Sequence, residues 1–480
     1  MVIISSLPSS HHRNTGIDQG SQRLSTTAEV EDLWTLVTNK LVPTPTRRSR
    51  PESLAAEEAI RRQFIPIPSN TKECEDLYTY DAILHWREHA TELCSSSPAS
   101  LPSPDLSSSN SSNPQFKLKS SMKCFRAEHM SPHNKFAPNT CLFTNLIKRV
   151  GFWTTTCAFD GSAVKNLGTR WYASGIGATV KKMNLRAESA HQRSAACVRV
   201  ETRPTLMFTR EQGTASNMFH ELAQLLSLYI TKHVHGIGDD AQDVLLLAFD
   251  RHHRNTRGRV DELLVAFSPS PVLYDEEVPS HTCFANAMLA FAGEETIAFW
   301  HKFVGIVACH HSPLLQSFQR FLLKGISIPA AEPVPGVKLC WILRGSYMRQ
   351  LTGEQSFIEE LRRSNPHITI TVGEMGVGEL QPLRQQILWA QRCNILGGAH
   401  GAGLTHSIWM PEESVVIEIL PPNFGSYRTL VRSMGHQYMH VPAASPVSVD
   451  WATVKDLVDA AVHLVNNMHM NRGERGLEGA

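Results

Sequence analysis

The sequence lacks a charge bias, a long apolar run and a visible export signal. Its 480 residues carry 46 Lys and Arg against 45 Asp and Glu, so net charge gives no support for binding to nucleic acid or to a membrane surface. No window approaches the ~20 apolar residues of a transmembrane helix. The opening residues MVIISSLPSS have no basic region, and their apolar run is too short for a signal peptide. From these absences we expect either a cytosolic protein or a gene model that lacks its first exon.

No two of the ten cysteines form a CxxC pair, which argues against a zinc ribbon and a thioredoxin motif. Six of the ten lie between Cys74 and Cys197. That density is typical of disulfides in an oxidising lumen, but scattered buried thiols would give the same count. The sequence leaves both interpretations open, and it gives no pairing.

The length of the chain predicts two principal domains, because a single core does not grow to this size. The Pro-rich stretch PAAEPVP, Pro329 to Pro335, is the clearest boundary between them. Composition divides the chain into a disordered N-terminal region (1–50), a helical segment (51–95), a Ser/Pro linker (96–120), a first Rossmann-like domain (121–330) and a second Rossmann-like domain with a closing helix (336–470).

Beyond the boundary, strand-like and helix-like segments alternate, which predicts right-handed crossovers and a parallel, doubly wound sheet. Before it, RPTLMFTRE and DVLLLAFD predict strands, and GIGATVKKMNL is a third strand candidate. CEDLYTYDAILHWREHATELC and the long segment from NMFHELAQ onward predict helices. The closing segment VDWATVKDLVDAAVHLVNNM predicts an amphipathic helix that packs back onto the first domain.

The stretch GGAHGAGL lies between a predicted strand and a predicted helix, where parallel sheets bind ligands. Its glycines would let backbone amides approach a diphosphate, His400 could donate to a phosphoryl oxygen, and Glu418 could bind a ribose diol. The alternative is a turn that needs glycine only for tight packing. The spacing is not GxGxxG, so a nicotinamide cofactor is a poor fit. We therefore expect an α/β protein of the GT-B class, with two Rossmann-like domains facing across a cleft.

HGAGLTHSIWMPEESVVIEI resembles the signature of glycosyltransferase family 61, and among its members it is most similar to the EGF-domain-specific O-linked N-acetylglucosaminyltransferases. NMFHELAQLLSLYITKHV, WILRGSYMRQL and SYRTLVRSMGHQYMHV resemble further segments of that family. Together these segments cover roughly residues 200 to 442. The resemblance implies an inverting transferase in the endoplasmic reticulum or Golgi lumen. It would move N-acetylglucosamine from a UDP-sugar donor to a protein Ser/Thr hydroxyl or to a glycan hydroxyl acceptor. A xylosyl or other pentosyl transferase, or an inactive nucleotide- or glycan-binding member, are the alternatives.

The site expected from these segments has a donor side and an acceptor side. Arg344, at the exit of a strand, would hold the diphosphate bidentately, unless it forms an ordinary surface salt bridge. Asn217 and His220 would face the acceptor, with His220 as base or acceptor ligand and Glu221 as a neighbouring carboxylate candidate. Tyr427 and Arg428 would contact the base or the sugar. The donor-binding positions are Gly398, His400, Gly401, Ala402, Gly403, Leu404, Arg344, Arg349 and Glu418, and the catalytic ones are His220, Asn217 and His400.

Two departures from the family pattern affect the expected chemistry. Gln224 stands where relatives usually have Asp, and Pro269-Ser270-Pro271 replaces an acidic triplet. A carboxylate-bound metal is therefore doubtful, although Asp250 remains, so manganese stays possible and no metal ligand is assigned. His252 and His253 lie in a polar segment where adjacent histidines are usually solvated.

Overall fold

The structure is a computed structural model that describes residues 80–95, 120–126, 139–157, 175–187, 197–210, 217–241, 243–250, 261–293, 296, 311–344, 351–422, 427–443 and 448–477. The predicted disordered region, the first part of the predicted helical segment and nearly all of the Ser/Pro linker lie outside these residues.

The first half of the described chain is built on a mixed sheet of ten strands. Its main path runs β1-β2-β3-β10-β7-β8-β9; β4 pairs with β3 and β5, and β6 pairs with β10. The strands are β1 (Ala90–Ser95), β2 (Ser121–Arg126), β3 (Asn139–Arg149), β4 (Phe152–Thr155), β5 (Arg186–Ala187), β6 (Arg199–Glu201), β7 (Thr205–Phe208), β8 (Leu245–Ala248), β9 (Leu273–Tyr274) and β10 (Thr282–Leu289). The section β10-β7-β8-β9 is parallel, as in a Rossmann-like domain. The strands from β1 to β3, and β10 against β3, are antiparallel, which the sequence did not indicate.

Four helices accompany this sheet in the described residues: α1 (Tyr80–Glu88), α2 (Gly175–Met183), α3 (Met218–Val234) and α4 (Pro313–Gly325). Helix α2 corrects the strand expected for GIGATVKKMNL. Its buried residues Ile176, Val180 and Met183 recur at helical spacing. The helix expected from Cys74 to Cys94 is also too long, because it ends at Glu88 and the following residues pair with β2 as strand β1.

The second half contains the predicted parallel sheet, with five strands in the order β12-β11-β13-β14-β15. They are β11 (Lys338–Leu343), β12 (Thr369–Glu374), β13 (Ile395–Ala399), β14 (Val415–Leu420) and β15 (Gln437–Pro442). The connections contain α5 (Glu354–Ser364), α6 (Leu383–Ala390), the 3-10 helix Ala402–Trp409 and α7 (Arg428–Ser433), and α8 (Trp451–Leu477) follows the last strand. The α/β class and the organisation around two sheets are thus confirmed.

Helix α8 packs on the sheet of its own half, so the prediction that it returns to the first domain is wrong. Val454, Val458 and Ala461 are fully buried in one cluster with residues of β11 and β14. The Trp451 ring stacks on Phe357 at a centroid distance of 4.4 Å. The apolar face of the helix therefore covers a sheet face that would otherwise meet water.

The two halves meet in a shared hydrophobic core. One buried cluster joins Leu222 and Leu226 of α3 to Leu404 and Ile408 of the 3-10 helix. Backbone atoms also link the halves, since the Ser312 amide at the start of α4 donates to the Ser433 carbonyl of α7 at 2.6 Å. Helix α3 itself packs against the 3-10 helix that follows the glycine-rich turn.

Four disulfides bind the described cysteines, so the disulfide interpretation applies to them rather than that of scattered thiols. The pairs are Cys94–Cys157, Cys124–Cys141, Cys197–Cys283 and Cys340–Cys393. In the described part of the chain, no helix has the length and apolar character needed to cross a membrane.

Candidate active site

The glycine-rich turn lies at the switch point of the parallel sheet. Strands β11 and β13 are neighbours, although β12 separates them in sequence, so the chain leaves them toward opposite edges. Such a point leaves a crevice at the carboxyl ends of the strands, where ligands bind in open α/β sheets. Arg344 immediately follows β11, and His400 and Gly401 immediately follow β13. The topology therefore brings the predicted arginine and the predicted turn to one place.

Gly401 makes room for the guanidinium of Arg344. A Cβ atom at position 401 would overlap Nη2 and Cζ of Arg344. Gly401 also has a φ of 157°, which residues with a side chain rarely adopt. Only glycine at this position allows the cation to lie against the backbone of the turn.

The other glycines of the turn serve packing. A Cβ atom on Gly397 would lie 2.6 Å from the Trp341 ring, and one on Gly398 would lie 2.9 Å from the Ile342 carbonyl oxygen. At Gly403 the nearest atom would be Cγ2 of Ile342, at 3.1 Å. Tight packing thus explains three of the four glycines. The prediction that the turn binds a ligand depends on Gly401.

His400 is held by a buried carboxylate. Its Nδ1 atom lies 2.5 Å from Oε1 of Glu418, a residue on the adjacent strand β14 that is 0% exposed. The other carboxylate oxygen, Oε2, accepts hydrogen bonds from the Tyr427 amide at 3.0 Å and from the Tyr438 hydroxyl at 2.5 Å. Because protein donors occupy both oxygens, Glu418 is placed to orient His400 and not to bind a ribose as the sequence suggested.

Tyr427 connects the donor-side turn to the first half. Its ring centroid lies 5.4 Å from that of His400 and 5.4 Å from that of Phe219, in the first turn of α3. Phe219 in turn contacts the ring of His220 at 5.5 Å. His220 is half-buried beside these rings, so the structure brings His220 and His400 to the same region.

Asn217 is the N-cap of α3. Its side-chain oxygen accepts a hydrogen bond from the Phe219 amide at 3.1 Å. A cap of this kind satisfies a backbone donor that the helix leaves unpaired. The structure therefore gives Asn217 a role in starting the helix that carries His220, which the sequence did not indicate.

A buried ion network lies at the carboxyl ends of β7 and β8. Arg210 is 4% exposed and donates through Nε to Asp250 at 2.6 Å and through Nη1 to Asp261 at 2.8 Å. Burial alone would lower the pKa of Arg210, but its bonds to Asp250 and its attraction to the nearby carboxylates raise that pKa above its ordinary value. Arg210 and Asp261 were missed from the sequence, although Arg210 and Asp250 each stand two residues beyond neighbouring strands.

The network does not fit a divalent cation. Oδ2 of Asp250 accepts two hydrogen bonds from Arg210, one from its side chain and one from its amide. The described residues contain no group of three or more His, Cys, Asp or Glu side chains arranged to hold a metal ion. Arg210 already occupies Oδ2 of Asp250 and Oδ1 of Asp261, so these two oxygens are not available to a metal ion.

Gln224 has a packing role in this structure. Its side chain is 4% exposed, accepts from the Gly293 amide at 3.2 Å and donates to the Phe291 carbonyl at 3.3 Å. An ionised Asp could accept but could not donate to that carbonyl. The amide of Gln224 therefore makes a backbone contact that Asp at this position could not make in full.

The remaining predicted positions divide into three groups. Leu404 is fully buried in the shared core, so only its backbone could contact a ligand. Ala402 is partly exposed at the start of the 3-10 helix, and Arg428 is exposed at the start of α7. Arg349, His252 and His253 lie outside the described residues.

The residues around this site are similar to known proteins. Residues 204–417 match the family model described as Glycosyltransferase 61. An EGF domain-specific O-linked N-acetylglucosamine transferase of Drosophila melanogaster is 26% identical over 251 residues, which is 51% of this chain and 46% of that protein. Its Mus musculus counterpart is 24% identical over 271 residues, covering 55% of this chain and 49% of that protein. The chain therefore spans about half the length of the curated relatives it matches.

Among solved structures, E. coli heptosyltransferase WaaC with ADP is similar at a TM-score of 0.26 and 9% identity. The match covers 54% of this chain and 99% of that one. A likeness this weak carries no argument about fold or function.

Proposed function

We propose that this chain, whose residues 204–417 match the glycosyltransferase 61 family model, transfers a sugar from a UDP-sugar to a hydroxyl group. The donor sugar would be N-acetylglucosamine and the acceptor a protein Ser/Thr hydroxyl or a glycan hydroxyl. The relatives named for O-linked N-acetylglucosamine transfer support this choice of sugar.

The observation that carries the proposal is the position of the Arg344 guanidinium against Gly401 at the switch point. A guanidinium at that point can hold two diphosphate oxygens at once. It would also stabilise the negative charge that develops on UDP as the bond to the sugar breaks. The guanidinium can occupy this position because Gly401 has no Cβ atom.

His400 would contact the same diphosphate through its second ring nitrogen, Nε2. As an acceptor-only carboxylate, Glu418 requires the proton of the imidazole at Nδ1. Nε2 would then face the donor, and when it carries a proton it can donate a hydrogen bond to a phosphoryl oxygen. Glu418 and Tyr438 would hold the ring in this orientation and would not contact the substrate.

The acceptor would approach from the start of α3. In a single displacement with inversion, the acceptor oxygen attacks the anomeric carbon from the face opposite UDP, and a protein group takes its proton. His220 is half-buried in this region and is linked to Tyr427 by two successive ring contacts, through Phe219. It would serve as acceptor ligand or as base.

Residence in the lumen of the endoplasmic reticulum or Golgi follows from the same proposal. Four disulfides in the described residues favour an oxidising compartment. A cytosolic enzyme of this kind would keep such pairs reduced.

The proposal is tested by transfer from radiolabelled UDP-N-acetylglucosamine, UDP-xylose and UDP-arabinose to an EGF-like domain and to a set of glycans. The full chain is secreted from a eukaryotic host and assayed with manganese and with EDTA. Arg344→Ala and His400→Ala are compared with Glu262→Gln, a change of an exposed carboxylate in the first half of the chain.

Transfer of N-acetylglucosamine that is lost in the first two variants and kept in the third supports the proposal. Transfer of a pentose alone would replace the donor sugar with the pentosyl alternative. Binding of UDP without turnover of any sugar would favour an inactive family member.

A further inference from the structure

Arg344 and Met375 leave the parallel sheet side by side. Strands β11 and β12 are paired in parallel, with Leu343 opposite Glu374 at their carboxyl ends. Arg344 and Met375 are the next residues of the two strands, so both stand at the edge where open α/β sheets bind ligands. Because residues that are opposite each other in a sheet point to the same face, the two side chains leave the sheet on one face.

Both side chains lie along the glycine-rich turn. The Arg344 guanidinium takes the space that a Cβ atom on Gly401 would need, and Cγ of Met375 lies 3.5 Å from the position of a Cβ atom on Gly403. Met375 is half-buried and packs against the core that the two halves share. The turn therefore has a cation beside it and, two residues further along, an apolar side chain.

The chain that follows Met375, residues 374 to 380, forms a turn after β12 that we call the β12 turn. The Gly376 amide donates to the Leu380 carbonyl at 3.0 Å, and the Leu380 amide donates to the Val377 carbonyl at 3.1 Å. Gly376 has a φ of 83°, which glycine adopts without strain. These bonds hold Val377 with its side chain 53% exposed. An apolar side chain at the rim of a ligand crevice offers a surface to an apolar part of the ligand.

The space on the other side of the glycine-rich turn, toward β14, is filled by protein side chains. Glu418 is 0% exposed there and Tyr427 is 6% exposed. Among the described residues, His400 and Phe219 contact the ring of Tyr427, which the sequence suggested as a contact of the base or the sugar. A nucleotide whose diphosphate lies at Arg344 is therefore left with the side of β12 for its base.

We propose that the base of the donor nucleotide packs on the β12 turn, with its ring against the thioether of Met375 and its edge beside Val377. This inference rests on the proposed function, because it takes the diphosphate to lie at Arg344. A sulfur atom beside an aromatic ring is a favourable contact, and removal of apolar surface from water adds to it. Met375 then distinguishes a nucleotide from a bare diphosphate, whereas Arg344 binds the phosphate groups of both.

The test compares the binding of UDP and of inorganic pyrophosphate to the full chain by titration calorimetry. Met375→Ala is measured beside Met439→Ala, its matched control, which removes a half-buried methionine from β15 at the opposite edge of the sheet. We expect Met375→Ala to weaken UDP binding about 3- to 10-fold and to leave pyrophosphate binding within about twofold of wild type. Met439→Ala should change neither affinity, and Arg344→Ala should weaken both.

A second measurement uses the wild-type side chain. In a chain labelled with carbon-13 at its methionine methyl groups, the Met375 signal is assigned by its absence in Met375→Leu, an apolar exchange of similar volume. It should shift when UDP is added, because the ring of the base lies against it, and should shift little with pyrophosphate. This measurement decides if Met375→Ala does not fold or if pyrophosphate binds too weakly to be titrated.

The inference is overturned if Met375→Ala binds UDP as tightly as the wild type, or if it loses affinity for UDP and pyrophosphate alike. A Met375 methyl signal that does not move with UDP also overturns it. In each of these cases the wild type still binds UDP, so the proposed function stands. A folded wild type that does not bind UDP would instead refute the proposed function and this inference with it.

Discussion

Replacing Gly401 by alanine should weaken nucleotide binding through Arg344. The new methyl group would occupy the space of the guanidinium, so Arg344 must leave its place against the turn. A hydrogen bond to a charged group contributes about 1.5–3 kcal/mol, so we expect the dissociation constant for UDP to rise about 10- to 150-fold. The φ of 157° adds strain for alanine, and the melting temperature should fall as well.

A double-mutant cycle separates this effect from general damage. UDP affinity is measured by titration calorimetry for Gly401→Ala, Arg344→Ala and the combined variant. If the two residues act through one contact, the combined variant should bind about as weakly as Arg344→Ala alone. Gly336→Ala is the matched control, because position 336 also has a positive φ but no atom within 4 Å of the added methyl group. Additive losses in the combined variant would refute the coupling between Gly401 and Arg344.

Three further predictions concern buried polar groups. Glu418→Gln should lower the free energy of unfolding by about 1–3 kcal/mol, measured by urea denaturation. The NH2 group of the new side chain would lie against groups that donate hydrogen bonds to the carboxylate in the wild type. The substitution should also reduce turnover, because His400 loses the acceptor of its Nδ1 proton; unchanged turnover would contradict the role of Glu418. Gln224→Asp should destabilise the fold by a similar ~1–3 kcal/mol without raising kcat, since it loses the donor to the Phe291 carbonyl. An increase in kcat would instead indicate that position 224 takes part in catalysis. Glu221 binds its proton more tightly in the folded chain, so the stability it provides is complete below pH 4.5 and is lost as the pH rises to about 8. Glu221→Gln lacks this dependence, so its stability relative to wild type should grow by at most about 1.4 kcal/mol per pH unit across that range. Parallel stability curves for the two proteins would show that Glu221 is not protonated in the fold.

The second half of the fold could be predicted because its sequence is locally consistent. Strands such as VKLCWIL and SVVIEIL are short apolar runs separated by helical segments, and parallel sheets buried on both faces have this pattern. The first half was harder because α2 and β1 are short segments. Their type depends on the surfaces they pack against, and α2 shows its helical spacing clearly only when its buried residues are known.

The glycine-rich turn could be predicted from the sequence only in part. Its position after a strand predicted a ligand site, and the strand order places Arg344 beside it. The sequence could not assign the individual glycines, because that depends on which atoms of the neighbouring strand lie above each one. The sequence also could not show that neighbouring side chains donate hydrogen bonds to Glu418. Nor could it show that Arg210 donates to Asp250, the carboxylate considered as a metal ligand. These facts arise from residues far apart in the chain.

The proposed function depends above all on the switch point beside Gly401 binding a nucleoside diphosphate through Arg344. The decisive experiment is a titration of UDP into the full chain, with Arg344→Ala and Glu262→Gln measured alongside. We expect saturable binding at one site by the wild type and Glu262→Gln, and binding about 10- to 150-fold weaker by Arg344→Ala. If the folded wild type does not bind UDP, or if all three proteins bind it equally well, the switch point is not the donor site.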